Sequence, residues 1–235
     1  MHTKIISHRG RTHNRSPDNS VISVEDAIEA GADMVEFDVR LTKDRKLVCF
    51  HDKTIKNILI SDIYFSDLIE INPMVPTLEQ VLWVAEGKID IDIELKEVGY
   101  EAEVLSAVLP YFGYDHFMVK SFHRETIKKF KEIDTRVTVG LLLGENWSLL
   151  QILNILKESL TASCYFLDGA DFIAPYYKIY EAGLMWKFVK NNIPIQVWTV
   201  NDRTMIKTLV MNNVHSVVTD EPEMALAIKE ALTND

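Results

Sequence analysis

The chain has 235 residues, enough for one large domain or two small ones, and its 47% hydrophobic and 26% charged residues are typical of a globular protein. Its formal net charge of -10, without a dense run of lysine and arginine, argues against nucleic-acid binding. The two cysteines indicate no disulfide framework, and no signal-peptide pattern or bilayer-spanning apolar segment is found. We therefore predict a cytoplasmic protein without stable membrane insertion.

Apolar strand-like segments alternate with helix-like segments along the whole chain. The strands are predicted at residues 4–8, 34–39, 89–96, 117–122, 138–143, 171–174, 195–200 and 216–219. The helices are predicted at residues 20–30, 77–86, 101–109, 124–133, 148–158, 177–190, 202–211 and 223–232. Thr77 and Gln80 have the spacing of a capping box at the start of the second helix.

Eight strand–helix units in a chain of this length predict an α/β fold, a closed (β/α)₈ TIM barrel. An open doubly wound sheet is the alternative, but no glycine-rich phosphate loop follows the first strand. Residues 43–46 are too few for a helical crossover, so residues 47–50 are predicted to fold back on strand two as a β-hairpin. Residues 53–75 then form a short insertion, either a lid or a long connection, within a single domain spanning 1–235.

Carboxylates lie at the ends of two predicted strands. Glu36 and Asp38 share one face of strand two, and Glu94 and Lys96 share one face of the third barrel strand. In a barrel this polar face points inward, and active sites lie at the carboxyl-terminal strand ends. Three converging carboxylates repel one another unless a positive group lies among them, which predicts a site for Mg²⁺ or Ca²⁺, with Mn²⁺ also suitable. The alternative for each acid is a buried ion pair with Lys96 or an arginine such as Arg9.

Two histidines flank these acids in the sequence. His8 ends strand one, and His51 ends the returning arm of the hairpin. Imidazoles titrate near neutral pH, so the pair is suited to divide acid and base roles, while the neighbouring arginine and lysine are suited to bind phosphate oxygens. Phe122 and Trp198, near the ends of strands four and seven, are candidates for lining the pocket, with plain barrel packing as the alternative.

The ordered set of motifs resembles the glycerophosphodiester phosphodiesterase family, which has a phospholipase-C-like TIM-barrel fold, over nearly the whole chain. The motifs are His8-Arg9-Gly10, Glu36-Phe37-Asp38, His51-Asp52, Glu94-Leu95-Lys96, Trp198-Thr199-Val200-Asn201 and Thr219-Asp220-Glu221-Pro222. The chain departs from the family pattern at Pro17-Asp18-Asn19-Ser20 and at residues 213–216. These departures leave substrate preference open.

The resemblance implies hydrolysis of a small-molecule glycerophosphodiester to sn-glycerol 3-phosphate and an alcohol, in glycerol or lipid metabolism. In the route proposed for the family, a neighbouring glycerol hydroxyl attacks phosphorus first and gives a cyclic phosphate, which water then opens. The implied roles are acid and base for His8 and His51, metal ligands for Glu36, Asp38 and Glu94, and phosphate contacts for Arg9 and Lys96. A lysophospholipase D acting on larger lipids and a non-catalytic phosphodiester-binding module are the alternatives. The alcohol and the oligomeric state stay open.

Overall fold

Eight parallel strands form the centre of the structure, a computed structural model that describes residues 3–144 and 148–234. The strands of the described chain are β1 (Lys4–Ser7), β2 (Met34–Leu41), β3 (Leu47–Cys49), β4 (Thr54–Ile55), β5 (Ile58–Leu59), β6 (Asp90–Leu95), β7 (Phe117–Ser121), β8 (Val139–Leu143), β9 (Phe172–Pro175), β10 (Gln196–Val197) and β11 (Ser216–Thr219). The parallel order is β10-β11-β1-β2-β6-β7-β8-β9. Single bridges join Ile173 to Ile195 and Tyr176 to Trp198, and they bring β9 back to β10. The predicted TIM barrel is confirmed.

Helices cover the outside of the barrel. They are α1 (Val21–Glu29), α2 (Phe65–Ile71), α3 (Leu78–Ala85), α4 (Glu101–Val108), α5 (Arg124–Ile133), α6 (Leu149–Thr161), α7 (Ser163–Asp168), α8 (Tyr177–Glu181), α9 (Trp186–Lys190), α10 (Arg203–Met211) and α11 (Pro222–Asn234). The predicted capping box at α3 is confirmed, because the Thr77 side chain accepts from the Gln80 N–H and the Gln80 side chain accepts from the Thr77 N–H. No helix in the described residues is long and apolar enough to cross a membrane.

The strand alternation divides the apolar residues into two cores. On β2 and β6 the side chains of Val35, Phe37, Ile91 and Ile93 point outward into the main core between sheet and helices. A smaller apolar cluster fills part of the barrel interior with Ile6, Met34, Met118, Leu142, Phe172, Ala174 and Val218. The polar residues of β2 and β6 point into the same interior, which is what places them at the site.

The structure departs from the predicted elements in three places. The single helix predicted at 177–190 is two short helices, because Gly183 between them adopts φ +73°, a left-handed conformation that ends a helix. Ala162 at φ +50° separates α6 from α7, a helix that the sequence patterns did not predict. The strand predicted at 195–200 is regular only in β10, with isolated bridges on either side.

The predicted hairpin after strand two is present, since β3 pairs antiparallel with β2 and Val39 lies opposite Cys49. The segment that follows, 53–75, is partly regular: it contains the β4–β5 hairpin and α2. Its apolar residues form a third small core with Val48 of β3. The segment therefore has a packing role beside the hairpin, and its role as a lid stays a prediction.

Candidate active site

Three carboxylates meet inside the barrel at the carboxyl-terminal ends of β2 and β6. The parallel register sets Glu36 beside Asp92 and Asp38 beside Glu94. Ligand oxygens of Glu36, Asp38 and Glu94 all lie within 4.8 Å of one another. The three residues are only 1%, 1% and 7% exposed, respectively. Carboxylate oxygens converging in this way form a donor set for a hard divalent cation.

Two cations contact the same carboxylates. Lys96 Nζ lies 2.8 Å from Asp38 Oδ1 and also pairs with Glu94. Arg9 Nε lies 3.1 Å from Asp38 Oδ2, and the Arg9 backbone N–H donates to Glu36 Oε2 at 3.0 Å. The alternative predicted for these acids, buried ion pairs with Lys96 and Arg9, is thus present. These ion pairs occur within the same cluster that could hold a metal.

The charges in this cluster are unevenly balanced. Burial, together with the charge of Asp38, raises the pKa of Glu94 to about 7. Burial also opposes ionisation of Asp38, but Lys96 and Arg9 hold the pKa of that carboxyl well below its usual range. Despite its own burial, Lys96 has a raised pKa because Glu94 and Asp38 favour its charged form. The cluster therefore holds one carboxylate that the resident cations do not fully neutralise.

A buried polar layer lies beneath the cluster. Lys120 Nζ is 2.7 Å from Asp92 Oδ2 and 3.7 Å from Glu36 Oε1. Gln196 accepts from Lys120 at 3.2 Å and donates to Asp92 at 3.0 Å. Burial opposes the charge of Lys120, yet Asp92 and Glu36 raise its pKa. This layer fixes Glu36 from below, and the sequence patterns gave Lys120 no role.

The loop after β1 contains two consecutive residues with a left-handed backbone conformation. Arg9 adopts φ +54° and ψ +24°, and Gly10 follows at φ +72°. A Cβ on Gly10 would lie 2.5 Å from Ser23 Oγ and 2.6 Å from the Ser23 carbonyl group. Non-glycine residues rarely occupy this region without a functional or packing reason. Here the conformation turns the Arg9 N–H toward Glu36 and its guanidinium toward Asp38.

His8 lies on one side of the cavity, held by residues from the far end of the chain. Its Nδ1 is 2.7 Å from Asp220 Oδ1, and Asn201 donates to the other Asp220 oxygen at 2.6 Å. Arg11 also contacts Asp220 at 3.2 Å. Burial works against ionisation of Asp220, but its bonds to His8 and Asn201 lower its pKa to about 2. An ionised Asp220 accepts a hydrogen bond from a protonated His8 Nδ1, and this leaves His8 Nε2 free for proton transfer.

His51 lies across the cavity from His8, at the end of the hairpin. Its Nδ1 is 2.8 Å from Asp52 Oδ1, and its carbonyl accepts from Arg40 Nε at 3.0 Å. The Phe50 N–H donates to the Asp38 carbonyl at 3.0 Å, which places the next residue, His51, close to the level of Asp38. Burial lowers the pKa of His51, so the ring is mainly neutral at pH 7.

All the predicted site residues except Asp38 line one cavity of about 230 Å³. Its described lining comprises His8, Arg9, Glu36, His51, Glu94, Lys96, Lys120, Phe122, Leu142, Trp198 and Val218. The rings of Phe122 and Trp198 meet edge to face with centroids 5.7 Å apart, and Trp198 Nε1 donates to the Ala174 carbonyl at 2.7 Å. Asp38 lies behind Arg9 and Lys96 rather than on this surface. The lining includes none of residues 53–75.

A larger cavity of about 650 Å³ lies at the opposite end of the barrel, around Lys4 and His215. No carboxylate is present among its described lining residues. Volume therefore does not identify the reactive end of this barrel, whereas the convergence of charged groups does.

Several polar partners at the site carried no predicted role. Asn19 donates to Asp38 Oδ2 at 2.9 Å and accepts from the Asp38 N–H at 2.9 Å. Asp220 follows the end of β11 directly. The signal that would have found Asp220 is the one applied to the other acids: a polar residue at the carboxyl-terminal end of a barrel strand.

The fold and site place the chain among TIM-barrel proteins with an acidic cluster at the carboxyl-terminal rim. The profile of the Glycerophosphoryl diester phosphodiesterase family matches residues 8–224, and the chain belongs to this family. A glycerophosphodiester phosphodiesterase of Caldanaerobacter subterraneus is 26% identical over 249 residues, covering 95% of this chain and 96% of the relative. The predicted family and enzyme class, a phosphoric diester hydrolase, are confirmed.

Solved structures agree with this assignment. A glycerophosphodiester phosphodiesterase from Parabacteroides distasonis is 25% identical, with a TM-score of 0.81 over 99% of this chain and 98% of its own. A phosphodiesterase from Oleispira antarctica, solved in complex with the product sn-glycerol-3-phosphate, has a TM-score of 0.78 at 18% identity, over 97% of this chain and 96% of its own. At that identity the second likeness establishes the fold alone.

Proposed function

We propose that the protein hydrolyses glycerophosphodiesters to sn-glycerol 3-phosphate and an alcohol, using a divalent cation and the pair His8 and His51. The observation that carries this proposal is the geometry of the cluster: three buried carboxylates within 4.8 Å of one another, beside two cations and between two histidines. The named activity of the Caldanaerobacter relative and the product bound by the Oleispira structure support the same substrate class.

Glu36, Asp38 and Glu94 would hold the cation. Three carboxylates suit Mg²⁺ or Ca²⁺, with Mn²⁺ as a further candidate, better than zinc or copper. The raised pKa of Glu94 supports this fit, because a cation would supply the positive charge that the cluster lacks. When bound, the cation supplies a Lewis acid that stabilises negative charge on the reacting phosphate.

Arg9 and Lys96 would orient the phosphate. Both side chains are largely buried, at 18% and 11% exposure, and both are anchored on Asp38. The guanidinium presents a planar pair of donors and the ammonium a point charge. Groups fixed in advance around a developing negative charge stabilise it without reorganising during the reaction. Phe122 and Trp198 would form an apolar wall for the carbon portion of the substrate.

The two histidines would divide the proton transfers. In the first step one imidazole takes the proton of the neighbouring glycerol hydroxyl as that oxygen attacks phosphorus. The other imidazole gives a proton to the departing alcohol oxygen, and a cyclic phosphate results. In the second step the roles are exchanged, because water gives up a proton as it attacks and the ring-opening oxygen receives one. Each imidazole thereby returns to its starting state.

The decisive assay measures release of sn-glycerol 3-phosphate from glycerophosphocholine with Mg²⁺ or Ca²⁺, and again after addition of a chelator. We expect turnover with metal, loss of turnover with chelator, and loss of turnover in His8→Ala. Parallel incubation with a lysophospholipid tests the lysophospholipase D alternative, and turnover of that lipid alone would overturn the proposal. Binding without turnover, unchanged in His8→Ala, would indicate the non-catalytic module instead.

We propose that residues 1–235 form one domain. The cytoplasmic location and the place in glycerol or lipid metabolism stay predictions from the sequence.

A further inference from the structure

The outer face of α6 carries a stripe of exposed leucines. Leu149, Leu153, Leu156 and Leu160 are 74%, 55%, 43% and 64% exposed. Their spacing of four, three and four residues is the spacing of a and d positions in a coiled coil. At about 100° per residue these four side chains share one side of the helix. We name this set the leucine stripe.

The leucine stripe lies on a different side of α6 from the side that packs on the barrel. The packed side is formed by Ile155, Glu158 and Ser159, which are 1% to 3% exposed. On the helical wheel the stripe lies roughly opposite these residues. An ordinary surface helix packs its apolar side and exposes its polar side, whereas α6 packs one isoleucine beside two polar residues and exposes its leucines. The outer side therefore lacks the solvent-facing character expected at the surface of a monomer.

Neighbouring residues enlarge the apolar surface. Leu150 and Ile152 flank the stripe at 69% and 38% exposure. Helix α9 packs beside α6, with Trp186 49% and Val189 56% exposed. Side chains of this size at these exposures present an apolar area on the order of 1,000 Å², larger than the few hundred Å² usual for a monomer. A stable dimer buries about 800 Å² on each partner, so the area suffices for one.

The charge pattern selects the occupant of this surface. Along α6 the ionisable side chains are Lys157 and Glu158, with Glu158 buried against Arg124, and the neighbouring helix α9 adds Lys187 and Lys190. Anionic membranes attract basic proteins, and these lysines belong to a chain with a net charge of -10, which disfavours a membrane as the occupant. A leucine seam with a heptad-type repeat is instead complementary to itself across a two-fold axis.

We propose that two copies of this chain associate through the leucine stripe of α6 about a two-fold axis. The association does not depend on the proposed reaction, since the stripe lies on the outer side of the barrel. It leaves the cavity between His8 and His51 open in each copy.

The first test is the mass in solution. Light scattering after size exclusion is expected to give twice the 27.0 kDa of one chain at micromolar concentrations. Leu153→Glu combined with Leu160→Glu is expected to give the single-chain mass and unchanged turnover of glycerophosphocholine. Met211→Glu, an exposed apolar residue on α10, is the matched control and is expected to stay dimeric. A wild-type mass of 27.0 kDa, or a dimer that survives the paired glutamates, overturns the proposal.

The second test does not depend on breaking the contact. Both native cysteines, Cys49 and Cys164, are buried and free, so an introduced surface cysteine reacts selectively. Leu156→Cys is expected to give a covalent dimer with a short bismaleimide, and Met211→Cys is expected to stay single. Equal cross-linking of the two variants contradicts the proposal. So does sedimentation of a monomeric wild type with phosphatidylglycerol vesicles, which would identify a membrane as the occupant.

Discussion

His8 and His51 face the same cavity but are held in different ways. His8 is bound by Asp220, 212 residues away in the chain, and the two side chains are 15% and 21% exposed. His51 is bound by the adjacent Asp52, and those side chains are 42% and 71% exposed. The closed barrel fixes the first histidine, whereas a local contact at the surface orients the second.

The difference indicates how firmly each ring is positioned. Asp220 is itself bonded to Asn201 and Arg11, so together with His8 three side chains determine its orientation. Within the described residues, the Asp52 side chain forms a hydrogen bond with one side chain, that of His51. Exposed polar contacts contribute little free energy because water competes for both groups. The proposed reaction should therefore depend on Asp220 much more than on Asp52.

The largest expected effect tests whether both histidines take part. His8→Ala and His51→Ala should each lower kcat/KM for glycerophosphocholine by about 10² to 10⁴, because each removes a proton-transferring group. His116→Ala, a 65% exposed histidine at the other end of the barrel, serves as the control and should retain full activity. Steady-state kinetics with circular dichroism on each variant makes the measurement. Near wild-type rates in either cavity variant would remove that histidine from the mechanism.

The next prediction concerns the carboxylates that orient the rings. Asp220→Asn should lower kcat by about 10 to 100-fold, since the amide no longer fixes the Nδ1 proton or stabilises a positive ring. Asp52→Asn should change kcat by less than about threefold, as expected for an exposed pair. The pH profile of kcat/KM should shift in the first variant and stay in place in the second. Equal losses in the two variants would break the comparison.

A third prediction addresses the acids that lie between the two histidines. Glu94 has a folded-state pKa of about 7, against an ordinary value of 4.5. Between these two pH values the folded protein binds more protons than the unfolded chain, so the free energy of unfolding falls as pH rises. Without metal, we expect the wild type to lose about 2 to 3 kcal/mol from pH 5 to pH 8 relative to Glu94→Gln.

Urea denaturation in the presence of a chelator measures this difference. Added Mg²⁺ should restore stability to the wild type at pH 8 and have a smaller effect on Glu94→Gln, since that variant lacks one of the proposed ligands. If the free energies of unfolding of the two proteins had the same pH dependence, the pKa of Glu94 would not be raised in the folded protein.

The last prediction concerns the loop that holds His8. Gly10→Ala places a methyl group within 2.6 Å of Ser23, at φ +72°. Gly31 has nearly the same φ of +73°, but nothing lies within 4 Å of its added Cβ. Gly31→Ala should lose about 1 kcal/mol from backbone conformation alone, and Gly10→Ala about 1 to 3 kcal/mol more from the steric clash. Thermal unfolding of both variants measures the two losses of stability. Equal losses would indicate that the loop shifts to accommodate the methyl group without cost.

The sequence predicted the barrel because its strand periodicity and helix lengths are local properties. The alternation on β6 correctly assigned Ile91 and Ile93 to the outer core and Asp92 to the interior. Breaks in helices were harder to predict, because Ala162 adopts φ +50°, a conformation that an alanine side chain does not signal.

The same distinction applies to the site. His51 and Asp52 are adjacent and were read together, as were Glu36 and Asp38. The contacts from Asp220 to His8 and from Asn19 to Asp38 form only when the barrel closes. The order of the motifs therefore predicted which groups meet in the site. The residues that orient those groups are recognised only from the folded structure.

The left-handed backbone at Arg9 has a consequence for how this loop can vary. Its N–H bonds Glu36, and its carbonyl accepts from the Asn19 N–H at 3.0 Å and from Ser23 Oγ at 3.1 Å. None of these three bonds uses the guanidinium. Architecture and charge are thus separable at one position: a residue that tolerates positive φ could keep the loop while discarding the cation.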